Sequence, residues 1–248
     1  MENYNQNYNA TVTRNSAAVD AGLRSYMLGV YNLMAIGLVI TGLAAYATFS
    51  LATAQTETGL VLSEFGRVLY TSPLRFVIMF LPLGAVLFLS FKIQSLSTST
   101  ARLLFFGFSA IMGISLSTIF LVYTATSIVQ VFFITAATFG ALSLYGYVTK
   151  RNLSALGGFL FMGVIGLVIA MLVNLFLQSS ALGFAISAIG VLIFAGLTAY
   201  DTQTIKEMYF EGDETDTRGR KIVLGALNLY LDFINMFVFL LNLLGNRN

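Results

Sequence analysis

Of the 248 residues, 57% are hydrophobic and only 10% are charged, with a mean hydropathy of +0.83, whereas roughly a quarter of a soluble domain is charged; an all-α polytopic membrane protein is expected. The net charge of +2, with no Lys/Arg run, argues against nucleic acid as a partner. The chain has neither cysteine nor histidine, which excludes disulfides, thiolate nucleophiles, Cys- or His-ligated metals and Ser-His-Asp triads, and leaves carboxylates, hydroxyls, amides and backbone to carry any chemistry.

In chain order, residues 1–24 are polar and Asn/Thr-rich, and are expected to form a mobile tail because nothing in them offsets the entropy of ordering. The first apolar stretch starts at Ser25 and is too long for a signal-peptide core, so a spanning helix is predicted over 25–47. A second span is predicted over 73–92, with Pro82 as a kink. Leu103–Thr149 carries no charge and is too long for one helix; it divides at the polar Tyr123–Ser127 into spans at 103–123 and 128–149. Asn152–Tyr200 divides near Gln178–Gly183 into spans at 153–177 and 181–203. Gly158, Gly163 and Gly166 there are expected to mark close helix contacts. The seventh span, 222–245, contains one charge, Asp232. The predicted organisation is therefore the tail followed by a seven-helix transmembrane domain, 25–248. Short alternating segments of a transmembrane barrel are absent. An inside N-terminus puts 10 Lys/Arg on cytoplasmic segments and 3 on the other side, which predicts a cytoplasmic N-terminus and an external C-terminus.

Nine of the eleven acidic residues fall in the tail or in loops and are read as solvated. Asp232 is different. It lies 11 residues past Lys221, about 16 Å of helix, and a carboxylate at that depth costs about 2.5–3.5 kcal/mol unless it has partners or water. Asn228, Asp232, Asn235 and Asn242 share one face of the seventh helix, a stripe that cannot face lipid. The stripe reads either as amide contacts between helices or as the lining of a wet cavity. Asp201, at the end of the sixth helix beside Tyr200, either reaches water or meets Asp232. Two carboxylates in hydrogen-bonding reach cannot both ionise cheaply, so they would share a proton and titrate as a unit. Depth speaks against the meeting: Asp201 is only five residues from Lys206.

The segments Gly196-Leu-Thr-Ala-Tyr-Asp-Thr-Gln203 and Gly225-Ala-Leu-Asn-Leu-Tyr-Leu-Asp-Phe-Ile-Asn235 resemble the Bax inhibitor-1/YccA family of membrane proteins, as do Ser143–Arg151 and the closing Leu243–Arg247. The likeness extends from the first helix to the end and is greatest to the bacterial YbhL-like branch. It implies seven helices with the seventh central and surrounded by the other six, a bacterial inner-membrane location, and a conserved aspartate pair at Asp201 and Asp232 acting as a pH-sensitive latch on a calcium leak. The arginine that pairs with the aspartates in a bacterial relative has no counterpart here: the matching stretch, Leu89–Gln94, offers Gln94 or Ser95, with Lys92 nearby.

The functional expectation is a pH-sensitive calcium leak or exchanger gated by Asp201 and Asp232, with Asn228, Asn235, Tyr200, Lys92 and Gln94 supporting the pair or the ion path. No cofactor is expected beyond Ca²⁺ held transiently by the two aspartates; the partners are the lipid bilayer and a calcium ion or proton. A second reading is a regulatory protein acting on a membrane-bound AAA protease or stress response without transport. An intramembrane aspartyl protease is the remote alternative. It shares Tyr200-Asp201 but would need Gly-x-Gly-Asp where the chain has Leu229-Tyr-Leu-Asp232, and a Pro-Ala-Leu motif that is absent. The chain is accordingly not expected to be an enzyme.

Overall fold

The computed structural model describes residues 2–57 and 59–248, with side chains described from Val19 onward except at position 58. Of the expected mobile tail, 1–24, Met1 lies outside the described residues and the rest belongs to the first helix, with nothing described of its side chains before Val19. The elements are α1 (Glu2–Ala52), a hairpin of β1 (Thr53–Thr56) and β2 (Gly59–Leu62), α2 (Glu64–Thr71), α3 (Leu74–Lys92) with a 3₁₀ turn (Ile93–Ser95), α4 (Thr98–Leu116), α5 (Ile119–Val122), α6 (Ala125–Val148), α7 (Ser154–Leu177), α8 (Ser180–Glu207) and α9 (Thr215–Leu244). Among the described residues seven helices, with α4 and α5 counted as one, are long and apolar enough to cross a membrane. The chain is an all-α polytopic membrane protein.

Helix ends differ from the predicted spans for local reasons. Ser97 caps α4 by accepting from the Thr100 N–H, so the Ser/Thr-rich stretch before Arg102 starts a helix rather than a loop. Thr124 and Ser179 cap α6 and α8 in the same way. The third span breaks at Ser117-Thr118, where Ser117 Oγ donates to the Ile114 carbonyl. The largest change is at the last hairpin. α8 runs on to Glu207, and α9 starts at Thr215, two turns before the predicted 222, because Arg218–Lys221 are helical.

Between the first two spans the chain is more ordered than an external loop. β1 and β2 pair antiparallel, with Thr53 opposite Leu62. Gly66 of α2 lies directly on the Ala52 carbonyl, an approach that leaves no room for a Cβ. The Tyr70 hydroxyl shares a 2.8 Å hydrogen bond with Ser117 Oγ, tying this cap to the end of α4. Burial pushes the Tyr70 phenol above its ordinary value, against the opposing effect of that hydrogen bond. On the same side, the C-terminal residues are knitted to the α5–α6 turn: the Thr124 N–H donates to the Asn246 carbonyl and the Asn248 N–H to that of Val122.

α9 is the most enclosed helix. In its most apolar stretch 67% of residues are buried, against 33% or less in the other six. It packs against α1, α4, α6 and α8, while α3 packs on α4 and α7 on α8. Aromatic edges fix its position: Phe105 and Phe108 of α4 stand against Tyr230, Phe139 and Phe132 of α6 against Phe233, and Phe194 of α8 stacks on Phe239. The Tyr230 hydroxyl, fully buried, is 2.6 Å from Thr41 Oγ1 of α1.

Candidate functional site

The depth conflict between Asp201 and Asp232 disappears with the register of the last hairpin. Gly225 of α9 packs on Ile205 of α8, and Gly190 of α8 packs on Phe239. These two contacts set Asp201 level with residues near Leu229, within a turn of Asp232. Lys221 marked the wrong starting point for measuring depth, because α9 projects beyond the end of α8 and the connecting segment folds back along it. There Lys221 Nζ donates to the Met208 carbonyl (2.8 Å) and to Asp213 Oδ2 (2.7 Å).

The two carboxyl groups stand within hydrogen-bonding reach of each other, an arrangement that needs a proton between them. Asp232 is 3% exposed, and its Oδ2 has no hydrogen-bond partner among the described residues. Both groups line a cavity of about 620 Å³ between α7, α8 and α9. Tyr200, Asn228 and Asn235 line it as well, so five of the residues singled out in the sequence come together. The Asn235 amide donates its Nδ2 hydrogen to the Leu231 carbonyl (2.8 Å), which leaves its oxygen as an acceptor. Asn242, the fourth member of the polar stripe, serves elsewhere: it accepts from the Tyr123 hydroxyl (2.6 Å) near the far end of α9. Lys92 and Gln94 do not join the cavity; both are exposed at the end of α3 and the 3₁₀ turn after it.

α8 presents Asp201 from a segment with its own polar anchoring. Thr198 and Thr202 are buried and donate to the carbonyls four residues back, 2.8 and 2.7 Å, a contact that bends helices locally. Gln203 is also buried. Its side chain accepts from the Leu153 N–H and donates to the Arg151 carbonyl, clasping the start of α7 to α8.

The remaining wall was not legible in the sequence. Gly157, Gly158, Phe161 and Val164 of α7, with Phe194, Leu197 and Leu231, complete the lining. None carries a polar signal, and only contact with the Tyr200 ring distinguishes Gly157 from its neighbours. Of the three glycines expected at close contacts, Gly163 meets the Ile193 side chain, but Gly158 and Gly166 face open space. The tight approach belongs to Gly157 instead.

The electrostatics are one-sided. No Lys or Arg lines the cavity, and the ion pair found among the described residues, Lys221–Asp213, is elsewhere. A carboxylate in low dielectric without a basic side chain nearby is stabilised by a proton or by a bound cation. The polar oxygens on its wall are carboxylate, amide and phenol, and no group of three or more acidic, His or Cys side chains that could hold a metal ion occurs among the described residues.

Comparison with known proteins places the chain. Residues 23–248 match the family described as "Inhibitor of apoptosis-promoting Bax1". An uncharacterised protein of Caulobacter vibrioides is 44% identical over 100% of this chain and 99% of its own. One from Rickettsia prowazekii is 44% identical over 96% of each. The inner membrane protein YbhL of Escherichia coli strain K12 is 47% identical over 92% of this chain and 94% of its own. With a match that runs from the first span to the last residue, the chain belongs to the Bax inhibitor-1/YccA family.

Proposed function

We propose that this protein is a pH-sensitive leak or exchange pathway for a hard cation, Ca²⁺, in the bacterial inner membrane, gated by Asp201 and Asp232. The observation that carries the reading is the carboxyl pair in reach of one another on the wall of a cavity without basic residues, one buried oxygen of Asp232 being unpartnered. Ca²⁺ takes 6–8 oxygens. Two carboxylates and the amide oxygens of Asn228 and Asn235 supply part of that number, and water and backbone the rest. Such incomplete coordination suits passage, since an ion held tightly does not leave.

Proton and cation then compete for the same oxygens. With a proton between them, Asp201 and Asp232 bridge α8 and α9 and carry less negative charge; once it is lost, the two anions repel and attract a cation. Flux therefore rises with pH. An Asn at either position keeps a hydrogen-bonding side chain but removes one titratable charge, and with it the switch.

The test is Ca²⁺ flux into proteoliposomes from pH 5 to 8, for wild type, Asp201→Asn and Asp232→Asn. A pH-dependent wild-type flux that both variants abolish or lock is expected. An unaltered pH profile in both variants sinks the gating role. No flux above empty liposomes at any pH removes transport altogether and leaves the pair as a structural latch in a regulatory protein.

A further inference from the structure

We infer that the groove between α1 and α6 binds an anionic phospholipid of the leaflet on the N-terminal face, which the Lys/Arg distribution predicts to be cytoplasmic. The groove has a volume of about 590 Å³ and is walled by Leu28 and Tyr31 of α1 and by Phe139, Leu144 and Tyr147 of α6, with Arg24 at its mouth. It is separate from the carboxylate cavity and shares no lining residue with it.

Three observations select the occupant. The groove opens to lipid: Leu28 is 49% and Leu144 62% exposed on its two lips. Its deep end offers no spare donor. Thr202 gives its hydroxyl proton to the Thr198 carbonyl, so Ser143 must donate to Thr202 (2.9 Å) and Tyr31 to Ser143 (2.7 Å), each hydroxyl having a single proton. A polar ligand finds nothing to accept from there, whereas an acyl chain needs nothing.

The mouth is cationic. No carboxylate lines the groove or pairs with Arg24 among the described residues. Lys206 Nζ lies 5.2 Å from the centre of the Tyr147 ring and donates to the Tyr147 carbonyl (2.8 Å), adding a second positive charge on the α6 side. Arg24 sits seven residues, about 10 Å, above Tyr31 on α1, a spacing that matches a phosphate at the interface and an ester-linked chain below it. Basic pockets between transmembrane helices are suited to anionic headgroups in this way.

The natural absence of tryptophan supplies the test. Leu144→Trp puts a lone reporter on the lip of the groove, and Leu103→Trp, on an exposed face of α4, serves as the bilayer control. Full-length protein is reconstituted in mixtures of phosphatidylglycerol and phosphatidylcholine in which one or the other carries brominated chains. Quenching at Leu144→Trp is expected to favour phosphatidylglycerol by about fivefold, with no preference at Leu103→Trp. Arg24→Gln, at an exposed position, is expected to remove the preference. Gly140→Leu is expected to remove it too, because a Cβ at Gly140 meets nothing within 4 Å and so fills the groove without straining α6. Equal preference at the two reporters, or a preference that Arg24→Gln leaves intact, overturns the proposal. So does displacement of the lipid by inorganic phosphate alone, which identifies a free-anion site. Failure of either lipid to quench Leu144→Trp shows the lip covered by protein, including a second copy of the chain, and equally overturns it.

Discussion

Adjacent glycines on α7 should respond in opposite directions to the same substitution. At Gly157 a Cβ falls on the Tyr200 ring, whereas at Gly158 it meets nothing within 4 Å. Both positions gain about 1 kcal/mol of helix propensity on going to Ala. At Gly157 that gain is opposed by overpacking against the Tyr200 ring, at about 1–3 kcal/mol. Gly158→Ala is therefore expected to stabilise by about 1 kcal/mol, and Gly157→Ala to be neutral or to destabilise by up to about 2 kcal/mol. The gap between them is the overpacking cost. For a chain of this size it corresponds to a difference in Tm of about 2–12 °C. Circular dichroism at the helix band, in detergent, measures it without an added dye. Tyr200→Leu should rescue Gly157→Ala and leave Gly158→Ala unchanged, a coupling of about 1 kcal/mol or more in the double-mutant cycle. Melting of the two single variants within about a degree of one another, or absence of coupling to Tyr200, refutes the placement of α7 against the carboxylate-bearing face of α8.

Other expectations follow from contacts elsewhere in the bundle. Tyr230→Phe removes the 2.6 Å bond to Thr41 and should cost about 1–2 kcal/mol in the same melting assay, with α-helix content unchanged. Lys221→Met breaks the partly buried pair with Asp213 and frees the Met208 carbonyl. A loss of about 1–2 kcal/mol of local stability should make limited proteolysis within 208–214 about fivefold faster or more. Deleting residues 2–20 should leave Ca²⁺ flux and its pH profile intact; loss of flux would tie the tail to the transport path. Removing residues 246–248 takes away the backbone partners of Thr124 and Val122 and should raise amide exchange at Thr124–Ser127 before it affects α9.

Span number and order were legible because uncharged runs of spanning length are so strongly constrained by lipid. Span ends were not, because the same residues that mark loops can cap or extend helices. Ser97–Thr100 starts α4, and Arg218–Lys221 lie inside α9, where Arg218 and Lys221 bond the folded-back segment after α8 and Arg220 bonds Leu96 ahead of α4. The β1–β2 hairpin is four residues a side, too short to announce itself, although Gly59, with its φ of 118°, marks the turn between the strands. The carboxylate-bearing stripe of α9 was readable from spacing alone, since 4 and 3 residue steps keep Asn228, Asp232 and Asn235 on one face. Its meeting with Asp201 was not, since it depends on the α8–α9 register, set by Gly225 on Ile205 and Gly190 on Phe239. Lys92 and Gln94 came from likeness to a relative's latch rather than from any pattern of their own, and the structure leaves both outside the cavity.

The Gln203 clasp has a mechanical consequence. α9 is wedged between aromatic rings on its α4 and α6 sides, so it is the least able of the cavity's three walls to swing. α7 is the opposite case: only 11% of its most apolar stretch is buried, and it packs chiefly on α8. Gln203 holds the residues that lead into it, accepting from the Leu153 N–H and donating to the Arg151 carbonyl, and Asn174 closes its far end onto Gln178 and Ser179, the turn into α8. Fastened to α8 at both ends, by Gln203 at one and by the two-residue turn Gln178–Ser179 at the other, and with little surface buried elsewhere, α7 follows α8 rather than α9. A change in the separation of α8 and α9 therefore carries α7 with it, and the cavity wall of Gly157 and Gly158 moves together with Asp201.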